Sequence, residues 1–152
     1  MNASAMNILY KTSATANGGR DGGVRSSDGT LDLQLAPPTG PGGPGAKTNP
    51  EQLFAAGYAG CFHSALMRVA AHHKVSVKDS TVTATVGLGK HDDGSVGLDV
   101  DLLATLPHAT TEEAEKVVAA AHQHCPYSKA TRGNIEVRLA VAAGESAPTP
   151  VA

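Results

Sequence analysis

The sequence predicts one domain that mixes strands with helices. A polar cap at Asn49 opens a run from 53 to 71 that is apolar or small on nearly every face, the mark of a helix packed in the middle of a structure. Several shorter stretches instead alternate apolar and polar residues with the period of a half-buried strand. The length of 152 residues suits a single core, and with 41% apolar but only five aromatic residues that core must be built from Val, Leu, Ile and Ala.

The elements follow in order. Residues 6–14 carry strand signals, and 30–36 place Leu31, Leu33 and Leu35 on one face against Asp32 and Gln34. Between them Asn17-Gly18-Gly19-Arg20-Asp21-Gly22-Gly23 has loop composition, free to take positive φ around Arg20. Residues 37–45 form a second loop of Pro and Gly. Asn49, Pro50 and Gln52 then make a helix start, with Gly57, Ala59 and Gly60 small enough for another backbone to approach closely. Two strands are expected at 80–88 and 96–106, joined by a turn at His91-Asp92-Asp93-Gly94, the threonines of the first facing solvent. Thr110 with Glu113 forms a capping box for a second helix that ends near Cys125-Pro126, and 135–141 is a last strand. The domain is expected to span 6–142, with 1–5 as an extension before a second possible start at Met6 and 143–152 as a flexible Gly/Ser/Pro tail.

A net charge of −2 with scattered Lys and Arg offers no field for a phosphate backbone, so nucleic acid is not an expected partner. No apolar run approaches the ~18–20 residues that span a bilayer, and no secretory signal opens the chain; a cytoplasmic protein without a membrane partner is expected. In that reducing setting a pair of cysteines is more often catalytic, redox-sensing or incidental than a static staple, which directs attention to Cys61 and Cys125.

A cysteine in an apolar helix is commonly a small core residue, so a catalytic Cys61 needs its thiolate stabilised. Depressing its pKa by ~2 units takes ~2.7 kcal/mol, within reach of one guanidinium in a partly desolvated site. Arg20, in its glycine frame, is the arginine whose loop can turn a side chain inward, and Glu51 is its economical counter-charge, although helix-dipole complementation alone also accounts for Glu51. Ten helical residues separate positions 51 and 61 by ~15 Å, so Glu51 does not easily serve the Cys61 of its own chain. An intertwined homodimer, with Arg20 and Glu51 of one subunit approaching Cys61 of the other, removes the difficulty. His122, His124 and Cys125 fit no closed zinc pattern, and no metal is expected.

Three blocks together resemble the organic hydroperoxide resistance proteins, the Ohr branch of the OsmC/Ohr family. They are Thr48-Asn49-Pro50-Glu51-Gln52-Leu53-Phe54-Ala55-Ala56-Gly57-Tyr58 running into Gly60-Cys61-Phe62, then Gly18-Gly19-Arg20-Asp21-Gly22, and Cys125-Pro126-Tyr127-Ser128-Lys129-Ala130-Thr131-Arg132-Gly133-Asn134. The resemblance implies an α+β fold with antiparallel sheets wrapped around central helices in a tight, intertwined homodimer. It also implies a thiol-dependent peroxidase acting on alkyl and fatty-acid hydroperoxides in the response to oxidative stress. Cys61 would be the peroxidatic thiolate, Arg20 and Glu51 its activating pair, and Cys125 the resolving thiol. No bound cofactor is implied; the disulfide would be reduced by a lipoyl-type dithiol, dihydrolipoamide or a lipoylated protein. Phe54, Tyr58, Phe62, Leu66, Met67 and Tyr127 are the expected apolar lining. Two other readings stand beside it: a non-catalytic member of the fold that binds an apolar ligand, and a redox sensor that signals through disulfide formation.

Overall fold

The computed structural model describes residues 5–38 and 47–152. They belong to two compact units, Met1–Pro50 and Glu51–Ala152.

In the first unit β1 (Ala14–Asn17), β2 (Gly23–Ser26) and β3 (Asp32–Gln34) form an antiparallel sheet in sequential order. Strand β2 starts at the last residue of the expected loop, Gly23, and runs through residues 24–26, which had carried no strand signal, whereas residues 6–13, expected to be strand, carry no regular structure. Pairing explains both: Asn17↔Gly23 and Ala14↔Ser26 close a hairpin around the glycine-rich turn, and among the described residues no strand pairs with those before Ala14. Within that hairpin a 3-10 turn, Gly19–Asp21, follows Gly18 and Gly19 at φ +77° and +58°. A Cβ on Gly22 would stand 1.6 Å from the Asn17 carbonyl oxygen, so only glycine closes this turn. Leu35 and Thr48 form an isolated parallel bridge within this unit. The expected Pro/Gly loop lies, from residue 39 onward, outside the described residues, as does the expected extension apart from Ala5.

The long helix α1 spans Pro50–His73 without interruption. It ends at Lys74 with φ +56°, and the Val75 N–H donates back to the Ala70 carbonyl, the pattern that closes a helix through a left-handed residue. Tyr58, Phe62, Ala65, Leu66, Val69 and Ala70 are buried along one stripe. Within the single chain the opposite stripe, Gln52, Ala56, Gly60, Ser64, Met67 and Ala71, is exposed. The core of this chain covers only one face.

That core is completed by a four-stranded sheet in the order β4 (Thr81–Lys90), β5 (Val96–Leu106), β6 (Val137–Ala143), β7 (Thr149–Pro150). The β4–β5 hairpin turns at His91 to Ser95, with Gly94 at φ +87°, and leaves Thr81, Thr83 and Thr85 exposed as the alternation predicted. Val100, Leu102, Ala104 and Leu106 point alternately inward from β5, against the buried stripes of α1 and of α2 (Thr111–His124). Burying each of the Val and Leu side chains contributes roughly 1.5–3 kcal/mol. Helix α2 opens with the expected capping box: Glu113 N–H donates to Thr110 Oγ1 at 3.2 Å, and Thr110 N–H donates to the Glu113 carboxylate at 2.9 Å.

Two expectations about the sheet are corrected. It is not wholly antiparallel, because β6 runs parallel to β5 with Leu102 opposite Leu139 and Val141 opposite Ala104. The α2 segment supplies the crossover that a parallel neighbour requires. Nor is 143–152 a free tail: Thr149 and Pro150 pair with Val141 and Ala140, and the Val151 N–H donates to the Leu139 carbonyl at 2.8 Å. The β6 edge needed partners for its backbone groups, and the tail provides them despite its loop-like composition. Arg138 of β6 forks across Asp99 and Asp101 of β5, at 2.6 and 2.7 Å, on an exposed face. Exposed ion pairs of this kind contribute little, so the register is set by the buried side chains.

Candidate active site

Cys61 lies in the middle of α1, and Cys125 sits where α2 ends and the short helix α3 (Pro126–Thr131) begins. Cys125 has φ −65° and ψ 123°, an extended backbone that breaks the helix direction, and Pro126 at the first position of α3 fits there because it has no N–H to satisfy. This hinge turns Cys125 towards α1. The two cysteines are not joined in a disulfide; Cys125 is fully buried and Cys61 partly so, and the Cys125 thiol donates to the Cys61 sulfur at 3.6 Å.

The two neighbours of Cys61 in this unit that favour its anion are the Tyr127 backbone N–H, which bonds to it, and the charge of Arg68 two turns along α1. Burial is the larger influence and raises the thiol's pKa; the thiol of Cys125 alongside raises it further, and the balance is upward. The amide that reaches Cys61 belongs to the first turn of α3, the helix that follows Cys125. Glu51–Ala152 therefore brings the two sulfurs together without by itself making Cys61 a ready nucleophile.

The other anticipated residues are distributed as follows. Glu51 occupies the first turn of α1, ten residues from Cys61 on one continuous helix. Arg20 lies on the Gly19–Asp21 turn of the first unit. Among the expected lining residues, Tyr58, Phe62 and Leu66 are fully enclosed in the core, Phe54 is partly buried, and Met67 and Tyr127 are 48% and 43% exposed. The rings of Phe54, Tyr58 and Tyr127 pack in sequence, with centroids 6.1 and 5.8 Å apart. Gly57 leaves space for Tyr127 rather than for a second backbone: a Cβ there would stand 3.1 Å from the ring, whereas one at Gly60 would meet nothing within 4 Å.

A hydrogen-bonded group beside the sulfurs has no counterpart in the expectations. Tyr58 Oη lies 2.8 Å from Ser128 Oγ and 3.2 Å from Thr131 Oγ1, and His122 Nδ1 lies 2.8 Å from Ser128 Oγ. The Arg132 guanidinium donates to the His122 carbonyl at 2.6 Å. Burial, with the Arg132 charge nearby, pushes the His122 pKa down. The spacing of three residues on either side of Cys125 was visible in the sequence, but the hinge at Pro126 hid that the two flanks meet.

Comparison with known proteins places this architecture. Residues 42–140 match the family model of the OsmC-like proteins. The chain is 50% identical over 139 residues to an organic hydroperoxide resistance protein-like protein of Staphylococcus epidermidis, covering 90% of this chain and 98% of that one. It is 46% identical over 142 residues to an organic hydroperoxide resistance protein of Xanthomonas axonopodis pv. citri, covering 92% and 99%. The crystal structure of an organic hydroperoxide resistance protein from Elizabethkingia anophelis superposes with a TM-score of 0.83 at 50% identity, over 91% of this chain and 99% of that one. With its fold and nearly its whole length matched, the chain belongs to the OsmC-like family, in the branch of the organic hydroperoxide resistance proteins.

Proposed function

We propose that this protein detoxifies organic hydroperoxides as a cysteine-based peroxidase. The observation that carries the reading is the pair of free sulfurs 3.6 Å apart, one on α1 and one at the junction of α2 and α3. In the first step the Cys61 thiolate attacks the terminal oxygen of the hydroperoxide; the O–O bond breaks, Cys61 becomes a sulfenic acid, and the alkoxide takes a proton and leaves as the alcohol. In the second, the Cys125 sulfur attacks the Cys61 sulfur; the S–S bond forms, the S–O bond breaks, and water leaves. From 3.6 Å the sulfurs need to close by about 1.6 Å to reach the disulfide length near 2.05 Å. An external dithiol of the lipoyl type then reduces the disulfide by exchange, and no bound cofactor takes part.

Activation of Cys61 needs a cation beyond those of its own unit, since the balance there is upward. Arg20 is assigned that role, with Glu51 as its counter-charge, in an intertwined homodimer. Two features support the dimer. The exposed stripe of α1 is small or apolar at Ala56, Gly60, Met67 and Ala71, spaced as one helix face. In the first unit only Leu35 and Asn49 of the described residues are buried, while Met6, Ile8, Leu9 and Tyr10 are at least half exposed. A three-stranded sheet with so little core is completed by a second chain.

Substrates are alkyl and fatty-acid hydroperoxides, favoured by ~0.8 kcal/mol for each methylene buried against apolar lining. The side chains with surface to offer are Phe54, Tyr127 and Met67, the last pointing about 120° away from Cys61 around α1 and so serving across the dimer. No helix among the described residues is long and apolar enough to cross a membrane. We place the protein in the cytoplasm, where a reduced pair is maintained. The test is steady-state consumption of cumene hydroperoxide with dihydrolipoamide. Turnover that Cys61→Ser abolishes supports the reading; a single slow oxidation without turnover contradicts it and favours a sensor.

A further inference from the structure

We infer that Ser128 is a positioning residue for disulfide closure: its hydroxyl, held between His122 and Tyr58, sets the register at which Cys125 presents its sulfur to Cys61. The inference rests on the peroxidase reading above.

The positions are matched. Tyr58 is three residues before Cys61 on α1, and Ser128 is three residues after Cys125 on α3. The bond between their hydroxyls, at 2.8 Å, therefore ties the two helices about one turn away from the facing sulfurs. With two contacts one turn apart, α3 is restrained from sliding along α1 and from rolling about its own axis. His122 and Ser128 also straddle Cys125, three residues to each side, and their 2.8 Å bond closes the hinge on itself. Helix α3 has only six residues and does not hold its place by itself; these side-chain bonds add to the packing of Tyr127 on Gly57 and Tyr58 in fixing it.

Counting protons defines the directions. Four bonds run through the group: His122 to Ser128, Ser128 to Tyr58, Tyr58 to Thr131, and Thr131 Oγ1 to the Ser128 carbonyl at 3.1 Å. Three hydroxyls supply three protons, so all four bonds form only when His122 contributes an Nδ1–H. Thr131 then donates to the carbonyl, Tyr58 to Thr131, Ser128 to Tyr58, and His122 to Ser128. Tyr58 and Ser128 are at 0% exposure and Thr131 at 4%, so a bond lost here is not replaced by one to bulk water. The chain is complete in one arrangement, and that arrangement carries Cys125 at its hinge.

Closure is the step that depends on this. The Cys125 sulfur must approach the Cys61 sulfur along the line opposite the departing oxygen, and a loosened hinge lengthens the life of the sulfenic acid. A second hydroperoxide then oxidises it to the sulfinic acid.

The experiment separates the two steps by rapid quench and intact mass. In a Cys125→Ser background, oxidation of Cys61 by cumene hydroperoxide is expected to change by no more than about twofold on adding Ser128→Ala. With both cysteines present, Ser128→Ala removes two of the four buried bonds and is expected to slow closure about tenfold or more, and to raise the fraction of sulfinic acid under excess peroxide. His122→Asn, which keeps a donor near the Nδ1 position, is expected to close near the wild-type rate, and His122→Leu to close as slowly as Ser128→Ala. This rescue distinguishes positioning from a general loss of stability. Should Ser128→Ala fail to fold, Tyr58→Phe, which removes a single hydroxyl, is expected to show the same slow closure. Closure at the wild-type rate in Ser128→Ala, or in Tyr58→Phe if that variant is needed, would overturn the inference while leaving the peroxidase intact. A wild-type Cys61 that hydroperoxide does not oxidise would overturn both.

Discussion

Tyr127 rests in a space left by Gly57: a Cβ there would stand 3.1 Å from the ring and 3.2 Å from its hydroxyl. The same tyrosine's backbone N–H bonds to Cys61, so a glycine one turn before the reactive sulfur governs one of its hydrogen bonds. Two effects compete on substitution. Gly57→Ala improves helix propensity by about 1 kcal/mol, while the half-exposed ring shifts by a few tenths of an ångström, so stability is expected to stay within about 1 kcal/mol of wild type. Gly57→Val displaces the ring outright and is expected to destabilise by about 1–3 kcal/mol. Chemical denaturation checks both.

Removal of Arg20 tests the source of activation. Arg20→Ala is expected to slow oxidation of Cys61 at neutral pH about 25-fold, the loss of thiolate when a pKa ~2 units below the free-cysteine value of ~8.5 returns to it, and to move the midpoint of the pH–rate profile upward. Stopped-flow measurement over a pH series reads both, and an unchanged profile would assign activation to another group.

Sharing of sites across the dimer has its own signature. Mixing Arg20→Ala with Cys61→Ser chains after unfolding and refolding gives heterodimers in which one site draws both intact residues, so about a quarter of wild-type activity is expected from two inactive proteins. No recovery would mean that Arg20 serves the Cys61 of its own chain.

His122 carries a pH dependence of stability. Burial holds its folded pKa below the usual histidine value near 6.5, so the unfolded chain takes up the proton more readily. The contribution is whole above about pH 6.5 and is lost as pH falls through the lowered folded value. Thermal unfolding followed down to about pH 5 is expected to show this loss in wild type and less of it in His122→Asn.

Much of this structure was legible in the sequence where a local rule acts alone. The Thr110–Glu113 box, the turn before Ser95 and the alternation of Val82, Ala84 and Val86 depend only on near neighbours, and each formed as expected. The departures came from long-range pairing. Strand β2 exists because Gly22 lets the chain fold back on Asn17, and the tail is a strand because the β6 edge accepts it. At the site, the Cys61–Cys125 pairing was anticipated through a resemblance, while Ser128 and His122 were not, because what joins them is a hinge whose angle no periodicity encodes. Tyr58 was read as lining, yet its hydroxyl binds Ser128 inside the core.

Intact mass after one equivalent of hydroperoxide tests the central chemistry most directly. Wild-type protein is expected to lose two hydrogens as Cys61 and Cys125 join, and Cys125→Ser to gain one oxygen at Cys61. A wild-type chain whose mass does not change would contradict it.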